Sequence, residues 1–251
     1  MVDQDFDARL AAVVDEAGER VMAMAPELAL DAVGRFRRRL LEGAEAMVRE
    51  RLEAFLDESA IDRVVKRTPS ELVEQALKWF EGGRPYAVLL GPPGTGKTTT
   101  ACRMAMGPFL LRARRVAASH AEELVVDRGE SPDFILRRLT PGPGLVVSAT
   151  DLPYVVGRSL PGDPVLPPLD VRRPGVLVID DLGTEVSAGP RFQDALFRVI
   201  NARQGRATRT VITSNLDQAE LQGRLDARIS DRVFALGTVL RAEGQSHRGA
   251  A

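Results

Sequence analysis

The stretch GPPGTGKTTT, residues 91–100, decides how the rest of the chain reads. It fits the pattern G-x-x-x-x-G-K-[ST] through Gly91, Gly96, Lys97 and Thr98. An apolar run, Ala87-Val88-Leu89-Leu90, precedes it, and a helical run, Thr99–Met106, follows. That strand–loop–helix context is what the pattern needs to act as a phosphate-binding loop. Glycines let successive backbone N–H groups turn inward around an anion. The start of the following helix adds the positive end of its dipole. Lys97 is suited to the β and γ phosphates, and the Thr98 hydroxyl to a Mg²⁺ ion. The expected cradle for ATP is therefore Gly91, Pro92, Pro93, Gly94, Thr95, Gly96, Lys97, Thr98 and Thr99.

A second stretch, VLVIDDLGTE at 176–185, fits the same site. Four apolar residues, Val176 to Ile179, end in two adjacent acids. Like charges at a buried strand end disfavour each other's ionisation, so either a cation is expected there or one Asp should face water. Asp180 is the metal candidate, sharing Mg²⁺ with Thr98. Asp181 would point differently and is placed to orient or deprotonate an attacking water. The strand Thr210–Thr213 then runs into Ser214-Asn215, and the Asn215 amide could hold that water or sense the γ-phosphate. In RLDARISDRV, residues 224–233, Arg224, Arg228 and Arg232 recur every four residues and are expected on one helix face. Such a stripe suits an arginine finger that reaches a neighbouring subunit's γ-phosphate.

In that order and at these spacings, GPPGTGKT, VLVIDDLGTE, VITSNL and DARISDRV resemble the AAA+ ATPases. More narrowly, the series is similar to the DnaC/IstB-like group of helicase loaders and transposition helper ATPases. The likeness covers about residues 70–250. It implies that Gly91 to Thr98 are Walker A, that Asp180 and Asp181 are Walker B, and that Asn215 is the sensor-1 residue. It places the arginine finger at Arg232, with Arg228 as the fallback. SATDL, 148–152, resembles the group's opening after the second strand. GQSHR, 244–248, resembles its short terminus, which would bring Arg248 to nucleotide in cis. Asp181 departs from the Glu of many AAA+ proteins, which implies slow or switch-like hydrolysis. Residues 112–143 are longer than the group implies, and no room remains for a full helical lid.

The rest of the chain sets the frame. Its 251 residues, 44% hydrophobic and 27% charged, fit a soluble globular protein with a sizeable core. The net charge of −1 creates no global field for nucleic acid, so any such contact must be local or assembled by oligomerising. One Cys, Cys102, excludes a disulfide within the chain and a Cys-based zinc site. His120 and His247 lack metal-ligand spacing. With an acidic start and no long apolar run, the chain reads as cytoplasmic and not membrane-spanning.

Short β-like runs at Tyr86–Leu90, Leu145–Ser148, Val176–Ile179, Thr210–Thr213 and Thr238–Leu240 alternate with helices from residue 86 onward. The expected fold class is α/β: a P-loop NTPase with an AAA+ core, its mostly parallel sheet flanked by helices, after an N-terminal all-helical region. The expected division is 1–67 for partner docking and 68–251 for the ATPase with minimal or no lid. In the first part, Phe6, Leu10, Val13, Ala17 and Val21 form one stripe. Phe36, Leu40, Ala44, Met47, Leu52 and Phe55 form another. Thr68-Pro69-Ser70-Glu71 reads as a helix start, and Glu71–Phe80 should bury Leu72, Ala76, Leu77 and Phe80. Within 112–143, Val116–Ser119 is read as a strand, 120–127 as a helix and the remainder as an insertion or loop. Residues 157–175, rich in Pro, are read as a loop.

The leading functional expectation is an oligomeric ATPase that loads or remodels a replicative helicase on DNA, assembled through Arg232. A transposase as client is the close alternative. Two other classes stay open. A P-loop kinase of small molecules would lack the trans-acting Arg, and its activity per subunit would not rise as subunits associate. An ATP-dependent interaction switch with negligible turnover would bind ATP through Lys97 and draw support from Asp181. Direct DNA contact is expected to be weak, salt-sensitive and single-stranded, through local stripes such as Arg112, Arg114 and Arg115 or Arg203, Arg206 and Arg209. Aromatic content of 5% argues against a base-stacking platform.

Overall fold

A computed structural model describes residues 26–66, 71–139, 142–156, 175–183, 189–204 and 208–242. The expected stripe over Phe6–Val21, the start signal Thr68-Pro69-Ser70, the loop 157–174, Arg206 and the terminus 244–248 with Arg248 lie outside the described residues. The described chain forms two compact units. One contains residues up to Met47 together with Phe109–Gly142, and the other Val48–Pro108 together with Pro143 onward.

Among the described residues, the second unit has five strands: β1 Tyr86–Leu90, β2 Leu145–Ser148, β3 Gly175–Asp180, β4 Thr208–Ser214 and β5 Gly237–Arg241. They form one sheet in the order β2-β3-β4-β1-β5. Every pairing is parallel. Parallel strands need crossovers, and helices supply them. The fold class is therefore the expected one, a parallel α/β sheet flanked by helices, with helices before it. The β1 and β2 limits are as expected, and the other strands are longer by one to two residues at each end.

Helices follow in chain order: α1 Pro26–Leu52, α2 Glu58–Lys66, α3 Glu71–Glu81, α4 Lys97–Ser119, α5 Pro132–Arg138, α6 Leu152–Val156, α7 Pro190–Arg203, α8 Gln218–Arg224 and α9 Ala227–Ala235. β1 is buried along its whole length, which explains why its sequence is a continuous apolar run and not an alternation. On one face of the sheet Tyr86, Val88, Leu90, Leu177, Ile179 and Ile212 pack with Phe192, Leu196, Val199 and Ile200 of α7 and with Ile229 and Val233 of α9. Ala87, Leu89, Val178 and Val211 alternate with them and are equally inaccessible.

At the lower end of the strands, α3 is fastened by its Trp79, whose Nε1 donates to the Tyr86 carbonyl at 2.8 Å. Trp79 is the buried aromatic of this helix, with Leu72 and Ala76, while Phe80 is half-buried. The expected set named Phe80 instead. One residue of helical rotation separates the two, and the indole has a carbonyl to reach. The Leu77 side chain lies outside the described residues. Among the N-terminal apolar positions, Phe36, Leu40, Ala44 and Leu52 are buried as expected, joined by Val33 and Val48. Met47 and Phe55 are only half-buried.

Two readings within 112–143 are corrected. Val116–Ser119 is not a strand but the last turn of α4. Ala113, Ala117 and Ala118 favour helix strongly enough to carry the lone Val116. Residues 123–127 form one π-type turn in place of a full helix. The supposed loop beyond it contains α5, opened by Ser131, whose side chain accepts from Phe134 N, and by Pro132 in the first turn. This Ser-Pro-Asp start is a legible cap signal.

Of the arginine group 203, 206 and 209, the two described members, Arg203 and Arg209, do not form a surface stripe. Arg203 is 3% exposed. Its guanidinium donates to Thr210 Oγ1, to Gly175 O and to Arg209 O. Burial pulls its pKa down to about 10, so it stays charged at neutral pH. Arg209 lies over the rings of Trp79 and Phe80, at 5.2 and 4.7 Å, and donates to Phe80 O. Both arginines staple strand starts and present no phosphate-binding face. Arg112 and Arg115 are exposed, whereas Arg114 faces Glu45 at 4.0 Å.

Candidate functional site

At the top of β1 the chain turns through Gly91, Gly94 and Gly96, with φ of 150°, 82° and 83°. Two of these positions need glycine for different reasons. A Cβ on Gly91 would overlap the Ala242 carbonyl oxygen, where the chain leaves β5. A Cβ on Gly96 would meet nothing within 4 Å, so only its backbone conformation demands glycine. The space beside Gly96 is open, as an anion cradle requires. Pro92 and Pro93 form the exposed rim. Thr95 Oγ1 donates to Pro92 O at 2.9 Å, and Thr100 N donates to Gly96 O at 2.9 Å, starting α4. Lys97 is 5% exposed. Its Nζ donates to Gly91 O and Pro92 O, both at 2.7 Å. The ammonium thus spans the loop it belongs to. Thr98 and Thr99 follow in the first turn of α4.

Strand register brings the second half of the site together. β3 lies beside β4, which lies beside β1. Thr98 Oγ1 donates to Asp180 Oδ2 at 3.3 Å. The Thr213 hydroxyl donates to Asp180 Oδ1 at 2.7 Å and accepts from Asp181 N at 2.9 Å. Asn215 Nδ2 donates to Asp181 Oδ1 at 2.8 Å. Asp181 itself stands at φ 63°, an uncommon conformation for a residue with a side chain. Lys97, Thr98, Asp180, Asp181 and Asn215 are therefore neighbours. A cleft of about 500 Å³ opens beside the loop, between Gly91–Pro93, Asn215, Glu220 and Arg241.

The two acids differ in setting. Burial holds the Asp180 carboxyl above its ordinary value, and the Asp181 charge adds to this; hydrogen bonds from Thr213 and Thr98 act the other way. For a carboxyl raised in the folded state, the associated stability is complete below the unfolded value of 3.8 and is lost as pH rises through the folded value. Cation-free wild type should therefore lose stability relative to Asp180→Asn as pH rises across that window. Melting temperatures of both proteins at a series of pH values check this, and parallel curves would reject it. Added Mg²⁺ at neutral pH should raise the melting temperature of wild type and not of the variant.

The donor set fits Mg²⁺. A hydroxyl and a carboxylate oxygen, Thr98 Oγ1 and Asp180 Oδ2, stand side by side at the mouth of the cradle. Among the described residues, here as elsewhere, no group of three or more His, Cys, Asp or Glu gathers to hold a metal ion. Few protein oxygens leave positions for water and phosphate, which Mg²⁺ prefers.

The expected arginine face is broken. α8 ends at Arg224, Leu225 is extended at φ −89° and ψ 147°, and Asp226 opens α9 by accepting from Arg228 N. An Asp cap competes successfully with continued helix here. Arg224 is thereby separated from the other two and donates to Gly183 O at 2.6 Å. Arg228 and Arg232 share α9 and lie over the Phe197 ring, at 4.8 and 5.2 Å. Arg228 pairs with Asp226, and Arg232 Nη1 donates to Asn201 Oδ1 at 3.1 Å. Among the described residues neither is hydrogen-bonded to the loop 91–99 of its own chain.

Two contributors escaped the sequence reading. Thr213 reads as an ordinary β-branched strand residue, yet its hydroxyl bridges both acids. Arg224 read as one member of a stripe. Nothing in their local sequence marks either role.

Neither a protein-family model nor a curated protein matches the chain. Among solved structures it is similar to that of DnaI, at 19% identity over 75% of this chain and 87% of that one, with a TM-score of 0.41. The DnaC helicase loader gives 19% identity, 76% and 96% coverage, and a TM-score of 0.42. AMPPCP-bound DnaA from Aquifex aeolicus gives 21% identity, 80% and 52% coverage, and a TM-score of 0.39.

Proposed function

We propose that this chain is an AAA+ ATPase that binds and hydrolyses ATP and acts, in the manner of a DnaC-like loader, on a replicative helicase–DNA complex. The observation that carries the reading is the closed set of contacts from Thr98 to Asp180, Thr213, Asp181 and Asn215 beside an open glycine cradle.

In this reading Lys97 leaves the two loop carbonyls for the β and γ phosphates. Backbone N–H groups of Gly94 to Thr99 hold the remaining phosphate oxygens. Thr98 and Asp180 would hold Mg²⁺, which neutralises charge on the phosphates. Asp181 orients the attacking water and takes its proton, and Asn215 steers Asp181 or the γ-phosphate. The restrained setting of Asp181 and its short side chain favour slow turnover. Arg232 acts in trans on a neighbouring copy's γ-phosphate, with Arg228 as the fallback. Arg228 is well placed for that, with 70% of its side chain exposed. The N-terminal helical region, 1–67, docks the client, and contact with single-stranded DNA is weak. No helix among the described residues is long and apolar enough to cross a membrane, and the reading places the protein in the cytoplasm.

The test is ATP turnover against protein concentration, with and without single-stranded DNA at fixed salt. Turnover per subunit should rise with concentration and rise further with DNA. Arg232→Ala should lower it by roughly a thousandfold, as for other trans-acting arginines, with ATP affinity little changed. Turnover indifferent to concentration, DNA and Arg232 would refute the shared site and favour an interaction switch or a small-molecule enzyme.

A further inference from the structure

The turn after the acid pair is unusually constrained. Asp181 and Gly183 stand at φ 63° and 97°. For a residue with a side chain, as Asp181 is, such a conformation persists where the surroundings over-determine it. Three contacts from the end of β4 do so: Thr213 Oγ1 accepts from Asp181 N, Thr213 O accepts from Leu182 N at 2.8 Å, and Ser214 Oγ donates to Leu182 O at 2.6 Å. A Cβ on Gly183 would come 2.5 Å from Leu216 Cδ1, so the turn is closed on that side too.

A further contact comes from elsewhere. Arg224, the last residue of α8, donates from Nη1 to Gly183 O at 2.6 Å. Among the described residues no carboxylate pairs with its guanidinium. A charged donor on a backbone carbonyl makes one of the stronger classes of hydrogen bond. The Arg224 backbone is itself fixed: its carbonyl accepts from Gln193 Nε2 at 2.9 Å, and Gln193 Oε1 accepts from Asp226 N at 3.0 Å. One side-chain amide of α7 thus bridges the break between α8 and α9. Asp226 caps α9, the helix that carries Arg228 and Arg232. From Asp181 to those arginines the contacts are continuous.

We propose that Arg224 is a positioning residue that ties the turn bearing Asp181 to the start of α9, so that a displacement of the acid pair is passed to Arg228 and Arg232 of the same subunit. The proposal rests on the ATPase reading for its catalytic consequence. It gives a route by which the state of a subunit's own nucleotide site reaches the residues it offers to its neighbour. A surface arginine with a purely solvating role would leave the turn and the helix independent.

The experiment uses the full chain as wild type, Arg224→Ala and Arg224→Lys. Native-state hydrogen exchange at 181–183 and at 226–230 is measured without nucleotide. ATP affinity and turnover at saturating protein are measured beside it. In Arg224→Ala, exchange should quicken in both segments together. ATP affinity should stay within about twofold, while kcat falls roughly tenfold, the scale of a small misplacement of a catalytic group. Arg224→Lys, which keeps a charged donor, should recover most of both effects. If Arg224→Ala does not fold, Arg224→Met, which keeps most of the apolar stem and removes the donor, takes its place with the same expected outcomes. Exchange that quickens in one segment only, or a kcat unchanged by both substitutions, overturns the proposal. Wild type that neither binds nor turns over ATP would sink the ATPase reading separately. Coupled exchange in Arg224→Ala would then still uphold the tie, and uncoupled exchange would remove it.

Discussion

Lys97→Ala is expected to lower ATP affinity by about a hundredfold, with the protein still folded. Lys97 is nearly buried, and its ammonium already rests on two carbonyls of the loop at 2.7 Å. The loop therefore holds a positive charge at the centre of its own curve before any phosphate arrives. A triphosphate would replace those carbonyls with charged oxygens. Truncating one partner of such a desolvated charged contact costs about 2–5 kcal/mol, and about 2.7 kcal/mol is a hundredfold in affinity. The fold is less exposed to the change, because Gly91 O and Pro92 O border the open cleft and can turn to water. Lys97→Arg should rescue little, since a planar fork does not fill the place of a compact ammonium. Titration calorimetry with ATP and Mg²⁺ measures the effect. Affinity within threefold of wild type, a margin on the order of 0.7 kcal/mol, would mean that the loop is only a glycine-rich β–α turn.

Gly237→Ala should be among the most damaging single substitutions for stability. Its Cβ would overlap the Val233 carbonyl oxygen in α9 and come 3.1 Å from Tyr86 Cβ. The conflict is steric and not conformational, because Gly237 is absent from the positive-φ glycines. Relief requires β5 to leave β1, with which it pairs at Tyr86↔Gly237, or α9 to lift from the sheet. Lifting α9 would expose Ile229 and Val233, both fully buried. Backbone shifts of this kind cost about 3 kcal/mol, which lowers Tm by roughly 10 °C in a domain of this size. Gly223→Ala is the matched control. It lies in α8, and its Cβ would meet nothing within 4 Å, so it should be neutral or slightly stabilising. Thermal unfolding followed by circular dichroism compares the two. Equal melting temperatures would show that β5 and α9 do not meet as described.

These predictions differ in where their grounds lie. The importance of Lys97 is legible in GPPGTGKT, because a phosphate loop is built from consecutive residues and its geometry is local. That of Gly237 is not, because a lone glycine before Thr238 looks like any turn. Only the approach of a helix carbonyl 4 residues upstream makes it irreplaceable. The misreading of Val116–Ser119 has a related cause. A short run with one β-branched residue carries almost no intrinsic preference, and the preceding helix extends through it.

The amino-acid sequence by itself determined the five strands, the loop between β1 and α4, and the acid pair at the end of β3. Each is a pattern within one contiguous segment, governed by side-chain alternation, burial and backbone freedom. The tertiary structure alone decided which strands are neighbours, and with them the contacts of Asp180. Thr213 lies 33 residues from that acid, and only the register of β3 against β4 brings its hydroxyl there. It also decided where Arg224 and Arg232 lie once Asp226 opens α9, since Gly183 and Gln193, distant along the chain, receive the Arg224 guanidinium and the Asp226 N–H. Hydrogen bonds between distant segments depend on orientation to a fraction of an ångström, and no spacing along the chain encodes that.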